Sequence, residues 1–354
     1  MDIPIVLSLL TLLRQSRGHD RWTPEKLAQH QAHALAKLRL HAYTHSPFYR
    51  RFHEDGYESP LHDLPVLTKK MLMANFDEVV TDPRIHLDSV KAHVANASAD
   101  ALYLGRYWVN ATSGSTGNPG LFLFNHREWA AVLLSFIRGY EWAGIIVNLL
   151  HRRKVALVAS RNVSHMSAQV GFTLESPWAS TTHISAMEPL TSIVERLNEA
   201  QPEILVAYAS MARLLAVEQL EKRLSITPKV IFASAEVVTE ETRRMVNSAW
   251  GDCLYNEYAA TETAGIAAEC QQHHMHLFED SVIVENVDEH YQPVPAGVYG
   301  AKLLVTVLFN DTQPLIRYEL SDSVRLSDEI CTCGRPFPRV RRHTGTCRGY
   351  SVYA

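Results

Sequence analysis

From Val155 to Tyr258 the chain alternates short apolar runs with amphipathic segments, and this alternation constrains the fold more than any other feature. Val155-Ala156-Leu157-Val158-Ala159, Ile204 to Tyr208, Val230 to Ala233 and Cys253 to Tyr258 read as strands, apolar enough to be buried on both faces. Pro189 to Ala200, Met211 to Leu224 and Glu240 to Ser248 read as the helices between them. Strands joined through helices return to the same sheet in the same direction, so the pattern predicts an α/β fold with a largely parallel sheet flanked by helices. With 354 residues, 46% of them hydrophobic and 20% charged, the chain can bury such a core without disulfide or metal support.

The flanking regions read differently. Residues 23–54 are expected to be helical, with Thr23 as N-cap, Pro24 in the first turn and Leu27, His30, Ala34, Leu38 and Ala42 at helical spacing. Residues 64–78 read as a turn followed by a short helix capped by Thr68. Tyr107 to Val109 and Leu121 to Phe124 read as strands on either side of a Gly/Ser/Thr loop, and Glu128 to Ala143 as a helix. After residue 276 helical patterns stop. Ser281 to Val287, Ala301 to Phe309 and Ser323 to Leu326 suggest a smaller β-rich subdomain. The expected division is an α/β core over 1–275, a β-rich subdomain over 276–342 and a tail over 343–354.

Several function classes are set aside by composition. A net charge of −4 offers no electrostatic case for nucleic acid or an anionic membrane. The apolar run Ile3 to Leu13 is too short to span a bilayer, so no transmembrane segment is expected. Asp2 stands where a signal peptide has basic residues, and no small-residue cleavage site follows, so the run is expected to dock on the body as a helix. Five unevenly spaced cysteines, Cys253, Cys270, Cys331, Cys333 and Cys347, argue for a reducing, cytoplasmic setting rather than a disulfide scaffold.

The strongest local signal is Thr112-Ser113-Gly114-Ser115-Thr116-Gly117-Asn118-Pro119-Gly120. Its glycines allow backbone N–H groups to approach an anion, and its hydroxyls add donors. It is neither a Walker loop nor a dinucleotide fingerprint, since Gly-Lys-Ser/Thr and Gly-x-Gly are both lacking. Three further segments follow: Phe232-Ala233-Ser234-Ala235-Glu236, Asn256-Glu257-Tyr258-Ala259-Ala260-Thr261-Glu262, and Arg317-Tyr318-Glu319-Leu320-Ser321-Asp322. Loop and segments, in this order, resemble the signature motifs of the adenylate-forming superfamily, which includes acyl-CoA synthetases and peptide-synthetase adenylation domains. His41-Ala42-Tyr43, Ser46-Pro47-Phe48-Tyr49 and Leu64-Pro65-Val66-Leu67-Thr68-Lys69 look like the phenylacetate–CoA ligase-like branch, and the resemblance runs from about residue 30 to about residue 342.

The resemblance carries expectations. The fold would be the large N-terminal domain of these enzymes. The nucleotide would meet Ser113, Gly114, Ser115, Thr116 and Gly117 through its phosphates and Ser234, Ala235 and Glu236 at its adenine. Tyr258 would stack on that adenine, and Asp322 would bond the ribose. Thr112, Ser113, Thr261 and Glu262 are the catalytic candidates, Thr261 on the α-phosphate and Glu262 on Mg²⁺, a cation suited to one carboxylate plus phosphate oxygens. Cys270, His276, Cys331 and Cys333 match a structural zinc pattern found in this branch; three thiolates and one imidazole close a tetrahedral site. Pro119-Gly120 replaces the family's usual Pro-Lys, so one phosphate-directed cation is missing from the loop. Five arginines between 335 and 348 read as a solvated face or, more sharply, as contacts to nucleotide or CoA phosphates.

The implied activity is ATP-dependent adenylation of a carboxylic acid, releasing pyrophosphate, with CoA, a carrier-protein thiol or an amine as acceptor. Tyr208, Ala209 and Ser210, with His165 and Trp178 nearby, are the positional candidates for the acyl pocket. The family's hinge is not recognisable in His343 to Tyr350, so the lysine-bearing C-terminal domain is expected to be lost or supplied by a partner protein. The alternative is a catalytically degenerate nucleotide-binding homologue acting through a partner.

Overall fold

The computed structural model describes residues 3–56, 58–96, 101–112, 119–146, 152–160, 164–174 and 179–342. Its N-terminal part is helical: α1 (Ile3–His19), α2 (Pro24–His45), α3 (Pro47–Phe52), α4 (Lys69–Ala74), α5 (Phe76–Val79) and α6 (Leu87–Asn96). The helix expected over 23–54 breaks at Ser46-Pro47. Proline disfavours helical backbone in the residue before it, and Ser46 is extended at φ −104° and ψ 115°. The Ser46 N–H closes α2 on the Ala42 carbonyl, while its hydroxyl caps α3 by accepting from the Tyr49 N–H at 3.3 Å.

Strands β1 (Trp108–Ala111) and β2 (Leu121–Phe124) pair antiparallel and bracket the Gly/Ser/Thr loop, of which residues 113–118 lie outside the described residues. Next comes α7 (His126–Trp142), started by a capping box in which Asn125 and Glu128 satisfy each other's backbone N–H groups. The apolar N-terminus docks on α7 as expected. Ile5, Leu9 and Leu13, four residues apart on α1, are buried, and Arg17 reaches Glu141 through Nε at 3.2 Å.

The alternating region gives β3 (Arg153–Ala159), α8 (Met166–Leu174), β4 (Ala179–Ser185), α9 (Leu190–Ala200), β5 (Ile204–Tyr208), α10 (Ala209–Leu220), β6 (Val230–Ser234), α11 (Glu240–Trp250) and β7 (Leu254–Ala260). Strands β8 (Ala264–Glu269), β9 (Met275–Leu277), β10 (Val282–Val287), β11 (Lys302–Val307), β12 (Tyr318–Leu320), β13 (Val324–Ser327) and β14 (Arg339–Arg342) complete the fold. The main sheet has nine strands in the order β13-β14-β9-β8-β7-β6-β5-β3-β4. It is parallel from β4 to β7 and antiparallel beyond β7.

The sheet topology can be set beside the expected domain division. The 275/276 boundary falls inside β9, and β13 and β14 join the same sheet as the parallel core through β9 and β8. Of the expected β-rich subdomain, only β10, β11 and β12 form a separate sheet. The apolar periodicity identified β6 and β7 but could not reveal that β7 is shared between a parallel and an antiparallel half.

A buried charge cluster locks α7 to its surroundings. The Arg138 guanidinium, 3% exposed, donates to Asp280 at 2.6 Å and Asp20 at 2.9 Å and lies against Trp142, Phe278 and Phe337. His19 Nδ1 is 2.6 Å from the other Asp280 oxygen. Arg138 and His19 hold the Asp280 carboxyl below the usual carboxylate range although burial opposes them.

Candidate adenylation site and metal centre

Local backbone chemistry places the first cation. Leu67 bridges β12: its N–H donates to the Arg317 carbonyl and its carbonyl accepts from the Glu319 N–H, each at 3.0 Å. Thr68 caps α4 by accepting from the Met71 N–H at 3.3 Å, so Lys69 is the first residue of that helix. Its ammonium donates to the Thr112 hydroxyl at 3.1 Å. The same hydroxyl accepts from the Gly120 N–H at 2.8 Å, closing the base of the loop. A Cβ at Gly120 would lie 3.1 Å from the Lys69 Cε and 2.8 Å from the Phe122 ring. The position where the resemblance expects a loop lysine is therefore space that the Lys69 stem approaches. Sequence reasoning missed Lys69 as a site residue; a threonine cap that sets a lysine at the start of a helix was the available signal.

Around this cation stand residues from the other segments. Burial pushes the Glu262 carboxyl above its usual range; its own backbone N–H and the Lys69 charge pull it back, and the nearby Asp322 charge adds to the rise. The Tyr318 hydroxyl lies 3.5 Å from Glu262 Oε1, and its ring packs edge-on to Phe122. Thr112, Glu262 and Asp322, taken from three separate segments, thus share one neighbourhood with Lys69. Thr261 sits half-buried in the turn between β7 and β8. Arg317 serves the scaffold: buried, at φ +50°, it pairs with Glu285 at 3.1 Å and donates to the Leu64 carbonyl. Ser113, Gly114, Ser115, Thr116 and Gly117 lie outside the described residues, as does Trp178.

The Ser234-Ala235-Glu236 turn sits at the end of β6, with Ala235 exposed in the left-handed region at φ +62°. A non-glycine residue held there costs about 1 kcal/mol and marks a backbone position fixed by its surroundings. The Glu236 carboxylate accepts from the Ser210 N–H at 2.7 Å and hydroxyl at 3.0 Å, pinning the turn to the start of α10. Alongside runs a polar groove of about 490 Å³, whose lining includes Val237, Asn256, Arg243, Arg325, Arg339 and Arg341. Of the five C-terminal arginines, Arg339 and Arg341 line this groove. Arg335 instead faces Asp20 and the Trp142 ring. The Arg342 side chain and Arg348 lie outside the described residues.

Tyr258 is 1% exposed and packs in the main hydrophobic core, at a register shift of β7 against β8. The acyl-pocket candidates Tyr208, Ala209 and Ser210 are each engaged within the fold. Tyr208 accepts from the Ser160 N–H at 3.0 Å, Ala209 is packed in the helix-covered core, and Ser210 is committed to Glu236. His165 stands just before α8. Among the described residues, an apolar cavity lies between α1, α7, α8 and the parallel strands, with Ser234 and Glu257 in its wall. Glu257 is a second residue missed from sequence; an acidic residue inside the otherwise buried β7 was the signal.

Away from this site, Cys270, His276, Cys331 and Cys333 come together, their ligand atoms all within 4.8 Å of one another. The Cys270 and Cys331 sulfurs are 3.8 Å apart. Two thiolates each ~2.3 Å from one tetrahedral ion would be separated by ~3.8 Å. His276 Nε2 is 3.4 Å from the Cys333 sulfur, while Nδ1 is held 2.8 Å from the Phe337 carbonyl, which fixes the tautomer that turns Nε2 toward the thiols. Burial lowers the His276 pKa, favouring the neutral, metal-binding form. His274 is exposed, with Nδ1 3.2 Å from the Cys331 sulfur, and His273 is half-buried, paired with Asp252 and Glu269 and stacked on Tyr255.

No family model matches the chain. Among curated proteins it is 27% identical over 355 residues to a phenylacetate-coenzyme A ligase of Thermus thermophilus, covering 93% of this chain and 74% of the relative. It is 24% identical over 276 residues to protein CapK of Staphylococcus aureus, covering 76% and 55%. Among solved structures, a 2-hydroxyisobutyryl-CoA ligase in the postadenylation state aligns with a TM-score of 0.72 at 21% identity, over 91% of this chain and 68% of that one. The structural match establishes the fold. The sequence relatives that the chain resembles include phenylacetate–CoA ligases, and this fold is shared with that acyl-CoA ligase.

Proposed function

We propose that this chain is an AMP-forming ligase that activates a carboxylic acid with ATP. The observation that carries this reading is the grouping of Lys69, Thr112, Glu262, Tyr318 and Asp322 beside the strands that bracket the Gly/Ser/Thr loop. The acid's carboxylate oxygen forms a bond to the α-phosphorus. The bond from that phosphorus to the bridging oxygen breaks, and pyrophosphate leaves with the electron pair. No proton changes hands, so the protein's task is to position the reactants and to neutralise charge on the transferring phosphoryl group. Lys69 supplies a fixed positive charge at the loop base. Thr112 and Thr261 offer hydroxyl donors, Asp322 accepts from the ribose, and the Ser234 to Glu236 turn borders the purine. Glu262 is a suitable single carboxylate for Mg²⁺, which would supply further neutralisation when bound.

The acyl-adenylate then passes to a nucleophile. CoA is the favoured acceptor, because the relatives that name an acceptor name coenzyme A, and the arginine-lined groove is suited to its phosphates. The four-residue cysteine–histidine cluster holds a structural zinc, joining the β8–β9 region to the segment before β14, in a cytoplasmic setting that keeps the thiols reduced. Acid-dependent exchange of labelled pyrophosphate into ATP tests the activity. Exchange with no acid across a broad panel, while ATP binds, would refute it.

A second reading is a nucleotide-binding homologue without adenylation chemistry, favoured by the buried Tyr258 ring. Calorimetry that detects ATP or AMP binding in the absence of any exchange would support it.

A further inference from the structure

The apolar cavity has a volume of about 150 Å³ and is walled by Leu9 and Leu13 of α1, Tyr140 of α7, Val170 of α8, and Leu157 and Val206 of the sheet. A dry cavity of about this size takes a benzene-sized group. One acidic group is set in its wall. Glu257, 5% exposed, has an Oε1 buried without a hydrogen-bond partner among the described residues. A Cβ at Gly139 would come 3.2 Å from that oxygen, so the carboxyl reaches across to the bare backbone of α7 at the cavity side. Burial pushes the Glu257 carboxyl well above the usual carboxylate range. A neutral carboxyl both donates and accepts, and an unpaired polar atom in an apolar wall is costly unless something fills it. Glu257 adjoins Tyr258 in the segment that leads to Glu262, and Ser234 in the same wall begins the turn expected to border the purine.

We propose that this cavity seats the tail of the acid substrate, and that Glu257 selects acids whose tail is a benzene-sized apolar group carrying a hydroxyl. The inference rests on the adenylation reading for the cavity's purpose, and it goes further by naming the substrate class. The hydroxyl donates to Oε1 while the ring displaces water from the apolar walls. An unsubstituted ring fills the same volume but leaves Oε1 unpaired. The wall also holds Arg153, whose guanidinium pairs with Glu203, so an ammonium tail would meet a cation there.

The test is calorimetric binding of matched acids: the 3- and 4-hydroxy forms of benzoate and phenylacetate against the parent acids. At least one hydroxy acid is expected to bind roughly ten- to hundredfold more tightly than its parent. Glu257→Leu removes that preference and Glu257→Gln keeps part of it. In the free protein Glu257→Leu leaves the melting temperature unchanged or raises it, because an apolar replacement of an unpaired buried group removes a cost. Equal binding of hydroxy and parent acids, binding of neither, a preference that survives Glu257→Leu, or a marked fall in melting temperature for that variant overturns the proposal. Selective binding without pyrophosphate exchange upholds the cavity assignment and refutes the adenylation reading. Exchange without selectivity does the reverse.

Discussion

Replacing Lys69 by methionine removes a charge while keeping a stem of similar length. A phosphoryl oxygen that accepts from the Thr112 hydroxyl would lie about 3 Å from that oxygen, and the Lys69 ammonium lies 3.1 Å from it. The separation between ammonium and phosphoryl oxygen is then roughly 4–6 Å. At that distance, with an effective dielectric near 20, one unit of charge is worth about 3–4 kcal/mol. Some of that is lost to competing hydration, so about 2–3 kcal/mol is the working figure, a thirty- to hundredfold loss in kcat/KM. Glu262 responds as well: without the Lys69 charge its carboxyl rises further above the usual range, weakening its hold on a divalent cation and raising the Mg²⁺ concentration needed for half-maximal rate. Urea denaturation should move little, because the site-side ammonium is no part of the core. The assay is pyrophosphate exchange across a Mg²⁺ series, with Lys69→Arg as the charge-preserving control. Exchange within threefold of the wild type for Lys69→Met, at unchanged Mg²⁺ demand, would refute the assignment of Lys69 to the phosphates.

Three further outcomes are expected. Metal analysis of protein purified without chelator should give one zinc per chain, and Cys331→Ser or Cys333→Ser should lose it together with a clear drop in melting temperature; full retention of metal by both variants would refute the four-ligand set. Arg138→Met should destabilise the fold by about 3–5 kcal/mol, since it takes the guanidinium from the buried Asp280 carboxylate and one partner from the half-buried Asp20, whereas the same change at an exposed arginine costs almost nothing. Because the Asp280 pKa is depressed in the fold, its contribution is present above the unfolded carboxylate pKa of about 4 and is lost as pH falls below it; urea midpoints at pH 7 and pH 3 should therefore differ by less in Asp280→Asn than in the wild type. Glu128→Gln should cost roughly 2–4 kcal/mol by urea denaturation, because Oε2 accepts from the Asn125 N–H at 2.7 Å and Oε1 from the Asp311 and Thr312 N–H groups at 2.9 and 2.8 Å, and an amide cannot serve both sides; a midpoint equal to the wild type would show that those N–H groups find other acceptors.

Local patterns carried a large part of this protein. Apolar runs at the spacing of β3, β5, β6 and β7 required a parallel sheet, Thr68 and Thr23 declared helix starts, and Ile5, Leu9 and Leu13 marked the face on which α1 docks. Cys270, His276, Cys331 and Cys333, grouped by the family resemblance, do come together in the structure. What the sequence could not carry depends on where distant segments meet. Edge strand β4 has little apolar signal, since only Ile184 on it is buried, and β13 and β14 join the sheet through one long-range pairing, Arg339 with His276. The same holds for the site. The loop motif indicated an anion, but that Lys69 takes the space left at Gly120 follows from Leu67 pairing with Tyr318, some 250 residues along the chain. Tyr258 and Ser210 read as ligand contacts by motif and position; only the structure shows that one packs in the core and the other bonds Glu236. Glu257 shows the division most plainly: the sequence marks an acid inside a buried strand, and only the packing of α1 and α7 over that strand leaves its oxygen beside a cavity rather than a partner.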